Sequence, residues 1–253
     1  MRLGVYQCDA SGRSAAARVA ALESQLAGRG CDLVLCPELF ATGYDRTAHY
    51  EDLAESPDGP FGRKMAELAR AHGVALAYGY AERGADGLYN SAALLGPDGV
   101  LLANHRKRLP SPHSFEERSF ATGDAVTFAD LGDIRLAIII CYEVEFPESV
   151  RQAARGGAQL VLAPTALGRE WGVVAEKMVA TRAFENGVWL AYADHAGAQG
   201  DLRFFGGSRI VSPLGQETCC TVGEEDFAVA SIDARSVQRA QERLPYLRDS
   251  ERL

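Results

Sequence analysis

No apolar run in this 253-residue sequence approaches membrane-spanning length. Positive charge is scarce: 26 Lys and Arg against 34 Asp and Glu leave a formal net charge of −8. That balance argues against nucleic acid or an anionic membrane as a partner. The densest basic stretch, His105-Arg106-Lys107-Arg108, is short and has no aromatics interleaved with it. Metal-ligand spacing is missing as well. The cysteines (Cys8, Cys31, Cys36, Cys141, Cys219, Cys220) contain no C-x-x-C pair, and the histidines (His49, His72, His105, His113, His195) form no H-E-x-x-H or other metal pair. There is no Walker-type loop and no G-x-G-x-x-G, and Gly206-Gly207-Ser208 is not the G-x-S-x-G elbow of serine hydrolases. Nucleotide, metal and serine-nucleophile chemistry therefore have no motif to stand on. The chain opens directly on the strand-like Arg2-Leu3-Gly4-Val5-Tyr6, with no secretory apolar core. Reduced thiols and a cytoplasmic location are the expectation.

Apolar content of 47% and charged content of 24% are ordinary for a soluble globular protein. With no repeat, linker or low-complexity run, one domain over residues 1–253 is the economical reading. Strands are expected at Leu3–Gln7, Asp32–Cys36, Val74–Tyr80, Gln159–Ala163, Val188–Asp194, Ser208–Ser212 and Phe227–Asp233. Leu88–Leu95 and Val100–Asn104 form a hairpin around Gly96-Pro97-Asp98-Gly99. Helical spacing covers Ser14–Leu26, Phe61–His72, Glu148–Gly156 and Val173–Glu185, and in the tail Ala234–Leu253 a polar helix is followed by Pro245-Tyr246-Leu247. The long segment Pro110–Asp124, rich in Pro, Ser and charge, reads as a functional lid. Strand–helix alternation mixed with hairpins predicts helices covering a mixed sheet or a pair of sheets.

The chain is organised around Ile134–Glu148. Its three consecutive isoleucines end abruptly at Cys141, which reads as a buried strand delivering a thiol to its carboxyl end. Pro147 suits the first turn of a following helix. Glu38 comes just after Asp32–Cys36 and Pro37, and Lys107 just after the hairpin, so both occupy comparable strand-end places. The three groups complement one another chemically. A thiol with an ordinary pKa near 8.5 needs a base, and Glu38 can take its proton and pass it to a leaving amine. Lys107 can face an oxyanion and, as a neighbouring cation, lower the thiol pKa. Backbone N–H groups at the strand-to-helix corner are expected to favour the thiolate further. A Cys–His dyad with His195 or His113 stays open on these residues. Each residue also has a plainer reading: a buried apolar cysteine, a surface glutamate, a solvated lysine. Trp171 either walls a pocket or packs in the core.

Cys36-Pro37-Glu38 with Thr42-Gly43-Tyr44, then Arg106-Lys107, then Cys141-Tyr142-Glu143 with Glu145-Phe146-Pro147-Glu148 occur in that order. In this the chain resembles the nitrilase superfamily of carbon–nitrogen hydrolases, from Arg2 through Pro245-Tyr246-Leu247. The resemblance implies an α/β fold, an αββα sandwich of two mixed sheets covered by helices, assembled as a homodimer or a larger even-numbered oligomer. It implies Glu38 as general base, Lys107 as oxyanion stabiliser and Cys141 as nucleophile, with no cofactor and no metal. A second glutamate that orients the lysine maps to Glu116, with Glu117 the neighbouring choice. Tyr44, Tyr142, Glu145, Thr165 and Trp171 are the expected substrate contacts. Thr122 stands where the family usually has proline, and Arg108 stands where many members lead into a Lys-x-His pair. Tyr78-Gly79-Tyr80, Tyr89-Asn90-Ser91, Pro164-Thr165-Ala166 and Arg182-Ala183-x-Glu185-Asn186 resemble the small-amide amidases that include 5-aminopentanamidase. That branch implies hydrolysis of a small aliphatic primary amide bearing an ω-amino or guanidino group, for which Glu145, Glu170 and Asp194 are the acidic candidates. The alternatives are an N-carbamoyl amidohydrolase and, from another class, a catalytically silent binding protein.

Overall fold

The computed structural model describes residues 1–252. The strands, in chain order, are β1 (Arg2–Gln7), β2 (Leu33–Leu35), β3 (Ala75–Arg83), β4 (Leu88–Leu95), β5 (Leu101–Arg106), β6 (Thr127–Leu131) and β7 (Ile134–Ile138). They continue as β8 (Leu160–Pro164), β9 (Trp189–Ala193), the short ribbon β10 (Ala198–Gln199) and β11 (Leu202–Arg203), β12 (Arg209–Val211), β13 (Glu217–Cys219) and β14 (Asp226–Ser231). The helices are α1 (Ala15–Leu26), α2 (Tyr50–Leu53), α3 (Pro60–His72), α4 (Glu116–Ser119), α5 (Pro147–Arg155), α6 (Val179–Asn186), α7 (Ala234–Arg243) and α8 (Tyr246–Asp249). None of the described helices is long and apolar enough to cross a membrane.

Two six-stranded mixed sheets result, ordered β14-β1-β2-β3-β4-β5 and β13-β12-β9-β8-β7-β6. In the first, β1, β2 and β3 run parallel; in the second, β7, β8 and β9 do. The alternation of side chains along each strand then builds three layers of core. Leu3, Val5, Leu33 and Leu35 of one sheet meet Leu136, Ile138, Leu160 and Leu162 of the other in the centre. On the outer face of the first sheet, Val34, Leu76 and Tyr78 bury Val19 and Leu22 of α1 and Met65 and Leu68 of α3. On the outer face of the second, Ala137, Ile139, Val161 and Tyr192 bury Val150 of α5 and Val179 and Ala183 of α6. This is the expected αββα sandwich.

Local chemistry sets the helix ends. Ser14 caps α1 by accepting the Ala17 N–H, Pro60 and Pro147 occupy first-turn positions, and Gly73 and Gly187 end α3 and α6 at φ +60°. The segment expected as one helix over Val173–Glu185 opens instead with a π-helical turn, Val174–Met178, before α6. The expected tail helix is α7, which ends before Pro245; beyond that proline the chain makes a further short helix, α8. β6 was not expected from the sequence.

The topology carries the site-bearing segments to one end. Glu38 follows β2, Lys107 follows β5, Cys141 follows β7, and Thr165 follows β8. The two sheets are joined there by the Glu38 N–H, which donates to the Thr165 carbonyl (3.3 Å), and by the Ala10 and Ala196 N–H groups, which donate to Ala196 and Cys8 carbonyls (3.0 and 2.8 Å).

Candidate active site

Cys141 opens a 3₁₀ turn, Cys141–Glu145, between β7 and α5. Its φ of +48° lies in the left-handed region, which disfavours any side chain and is tolerated where surrounding contacts over-determine it. Leu39, directly after Glu38, is a second such residue (φ +47°). Glu38 is therefore presented on a sharp corner too. Gly79 makes that corner fit: a Cβ there would lie 2.3 Å from Leu39 N and 2.6 Å from Glu38 Cα. The Gly79 N–H also donates to the Pro37 carbonyl (3.0 Å) and its own carbonyl accepts from Ala41 N (3.1 Å). Gly79→Ala is thus expected to shift Glu38, lowering turnover at least tenfold and stability by about 1–3 kcal/mol, as overpacking does. Steady-state rates and a thermal melt on the same preparation check both effects.

Four buried groups converge. Lys107 Nζ donates to Glu38 Oε1 (2.7 Å), to both oxygens of Glu116 (2.9 and 2.7 Å) and to Ser111 Oγ (3.3 Å). Asn90 Nδ2 donates to Glu38 Oε1 (2.7 Å) and more weakly to Glu116 Oε2 (3.4 Å), while its carbonyl accepts the Lys107 N–H (2.8 Å). Glu38 Oε2 is buried with no protein partner. It is the one carboxylate oxygen of the pair left free for a proton. Glu117, by contrast, is exposed, so the choice between the two neighbouring glutamates falls to Glu116 on geometry.

The lid segment holds Glu116 in place. Phe115 stacks on Tyr50 (5.3 Å) and meets Tyr44 edge-on (4.8 Å), and Phe120 packs on Tyr50 (4.9 Å). Gly123 lies so close to the Arg106 carbonyl that a Cβ would come within 2.2 Å of it. Proline is not needed at Thr122 for that contact.

The charges sort the two carboxylates into different states. Burial alone would raise Glu116, but the Lys107 charge and hydrogen bonds from Lys107, Tyr44 and Ser111 bring it below the ordinary carboxylate range. Burial dominates at Glu38 and, with the Glu116 charge, raises it despite Lys107 and Asn90. Lys107 is held protonated: the two carboxylates outweigh its burial. Such a split separates a fixed counter-ion from a base that exchanges protons. The thiol departs from expectation. Burial, then the Glu38 charge, push Cys141 well above the ordinary thiol range, against Lys107 and the Ala166 backbone N–H that faces it. The neighbouring cation and backbone N–H groups do lower it, but they are outweighed. Cys141 rests as a thiol.

Other expected residues fall variously. Tyr44, expected at the substrate, donates its hydroxyl to Glu116 Oε1 (2.5 Å). Thr165 is buried with its hydroxyl on the Ala163 carbonyl, and touches Glu38 through the backbone. Tyr142 is half-buried against Phe146. Glu145 is half-buried in the nucleophile's own turn. Trp171 stands 60% exposed. His195 is no partner for Cys141: its Nε2 sits 2.7 Å from the Glu38 carbonyl, and burial lowers its pKa to about 4. His113 is exposed. Asn90, Glu143, His105 and Arg108 were given no role by sequence reasoning, and their side chains all lie around this site. Among the described residues no three His, Cys, Asp or Glu side chains are grouped to hold a metal ion.

The carbon–nitrogen hydrolase profile matches residues 3–242. The chain belongs to the carbon–nitrogen hydrolase family. It is a hydrolase of non-peptide carbon–nitrogen bonds, of the amidase-like kind. It is 34% identical, over 98% of its own length and 88% of the relative's, to the "Hydrolase in pqqF 5'region" of Pseudomonas protegens. It is 30% identical to an (R)-stereoselective amidase of a Pseudomonas species, over 86% of this chain and 79% of that one. Among solved structures it superposes on an amidase from Nesterenkonia sp. with a TM-score of 0.82 at 31% identity, covering 97% of this chain and 95% of that one. That amidase has been seen, as a cysteine-to-alanine variant, in complex with butyramide.

Proposed function

We propose that this carbon–nitrogen hydrolase cleaves small aliphatic primary amides to the carboxylic acid and ammonia through a thioester on Cys141. The observation that carries the reading is the buried meeting of Glu38, Lys107 and Glu116 beside the Cys141 turn. The Glu38 carboxylate takes the thiol proton as sulfur attacks the amide carbonyl, so a thiolate never has to persist in a site whose burial disfavours it. Lys107 and the Tyr142 backbone N–H stabilise the oxyanion. Collapse breaks the carbon–nitrogen bond, and the proton held by Glu38 goes to the departing amine, released as ammonia. Water then gives a proton to Glu38 and attacks the thioester, returning the thiol and the acid. Every proton moved in this scheme passes through Glu38.

Within this reading, an amide bearing a distal amino or guanidino group, as in the 5-aminopentanamidase branch, is the favoured substrate. Of the three acidic residues considered for the cation, Asp194 is committed to the backbone N–H groups of Leu167, His195 and Gly206 (2.7, 2.8 and 2.9 Å), and Glu170 is exposed. Glu145 remains. Burial raises its pKa against the charges of Lys107 and Arg182, so it sits within electrical reach of the site. A homodimer belongs to the proposal too, supported by the exposed apolar pair Phe184 and Tyr246, whose rings meet at 6.0 Å.

The test is ammonia release from a panel of primary amides varying in chain length and distal charge, with carbon dioxide measured in parallel. Amino or guanidino amides are expected to be turned over at least tenfold faster than neutral ones of equal length, and Glu145→Gln to remove that preference. Faster turnover of neutral amides would end the cationic reading. Carbon dioxide release from N-carbamoyl compounds would replace the amidase reading with a carbamoylase.

A further inference from the structure

Lys107 is flanked by two residues that reach past it to one carboxylate. His105 Nε2 lies 3.0 Å from Glu143 Oε2, and Arg108 Nε donates to Glu143 Oε1 (2.6 Å). Glu143 is fully buried, two residues beyond Cys141, and its Oε2 also accepts the Ile140 N–H (2.8 Å). The same arginine continues to the helix after the nucleophile, donating to Gln152 Oε1 (3.0 Å) and Ser149 Oγ (3.4 Å) of α5. From the other side, Arg182 of α6 donates to the Val144 and Glu145 carbonyls (3.1 and 2.7 Å) and closes the turn.

We infer that Glu143 is a positioning residue that fixes Lys107 against Cys141, with His105 and Arg108 as its two grips on the lysine's segment. Three features carry this. β5 and β7 lie in different sheets, so no ladder of backbone hydrogen bonds sets the distance between the lysine and the thiol. Cys141 is held in a left-handed conformation that needs outside support, and Glu143 binds the residue immediately before it. The carboxylate has all three of its donors in place and touches neither Glu38 nor Lys107, so it acts through others. Burial would raise it, but His105, Arg108 and the Ile140 N–H keep it below the ordinary carboxylate range, so it presents a full negative charge to both grips. Arg108, a departure from the family's usual sequence, thereby has a structural task. The inference rests on the catalytic reading of Cys141 and Lys107 given above.

The experiment uses the full chain with Glu143→Gln, Arg108→Gln and the double variant, with Cys141→Ala as control. Butyramide is the turnover probe and iodoacetamide the thiol probe. A misplacement of about 1 Å between reacting groups can cost on the order of 100-fold in rate. Each single variant is therefore expected to lose about 100-fold in kcat with KM within about threefold. The double variant is expected to lose no more than the worse single one, because both cut the same link. Where butyramide is turned over poorly, the midpoint of Cys141 alkylation against pH is expected to fall toward the ordinary thiol value near 8.5 as the turn loosens. Losses that multiply in the double variant, or an unchanged kcat and an unchanged alkylation profile, overturn the inference. If Glu143→Gln does not fold, Arg108→Gln, on a partly exposed side chain, decides by the same readings. Turnover persisting in Cys141→Ala overturns the catalytic reading instead, and the two failures are thereby told apart.

Discussion

Cys141→Ala is expected to abolish amide hydrolysis, by on the order of 10⁴-fold or more, as removal of a nucleophile does. The fold is expected to survive. The sulfur is buried but makes no side-chain ion pair, and alanine meets the same left-handed backbone demand as cysteine. The stability change should be about 1 kcal/mol, which in a domain of this size moves Tm by about 2–4 °C. Ammonia release and a thermal melt measure the two sides of this prediction. A dead but folded variant separates chemistry from architecture. An unfolded one would mean that the thiol's packing, not its reactivity, explains its place at the strand end.

Lys107→Met should be the most damaging single change to stability. The lysine lies between two buried carboxylates, and removing one member of a buried ionic cluster costs about 3–5 kcal/mol because the remaining charge is left without a partner. The loss depends on pH in a defined direction. Without the cation, Glu38 and Glu116 both titrate above their unfolded-state values, so the folded state binds more protons than the unfolded one. Stability of the variant then rises as pH falls toward those raised values and drops as pH climbs through them. The parent protein behaves differently at Glu116, whose lowered pKa contributes stability above the unfolded value that is lost only as pH falls through the folded one. Turnover should fall by about 10²–10³, the usual effect of removing one oxyanion donor. Chemical denaturation of parent and variant across pH 5 to 8 checks the sign. A variant whose deficit shrinks with rising pH would show that the two carboxylates do not share this cation.

Much of the fold could be read from the chain because its buried strands break off sharply. Leu136–Ile140, Leu33–Cys36 and Leu160–Ala163 are continuous apolar runs that stop abruptly, and just past those ends are where Cys141, Glu38 and Thr165 sit. β6 and β13 escaped because Thr127–Leu131 is a mostly half-buried edge segment and Glu217–Cys219 an exposed one, neither with an apolar alternation to report it. The π-helical turn before α6 escaped because five residues are too few to distinguish its period from that of an α-helix. In the site, the family resemblance pointed to Glu116 as the lysine's partner, but only burial separates it from exposed Glu117. Asn90 gave no chemical signal: it lies inside a strand, and its value comes from Glu38 after β2 and Glu116 of the lid, which the fold brings beside it. Glu143 lay in plain view within the cysteine motif, yet its partners are more than 30 residues away in sequence. The upward push on the thiol's pKa went unread for a related reason. Neighbouring cations and N–H groups can be counted along a chain, whereas the burial that outweighs them exists only after folding.

The central claim is that sulfur at position 141 is the atom acylated during turnover. It is tested most directly by quenching the enzyme in acid during hydrolysis of a slow amide, digesting it and mapping the acyl group by mass spectrometry. The acyl mass is predicted on the peptide carrying Cys141, absent from Cys141→Ala, and removed by hydroxylamine as a thioester should be. An adduct on any of the other five cysteines, on Lys107 or on Glu38, or turnover with no covalent species while Cys141 stays freely alkylated, would contradict it.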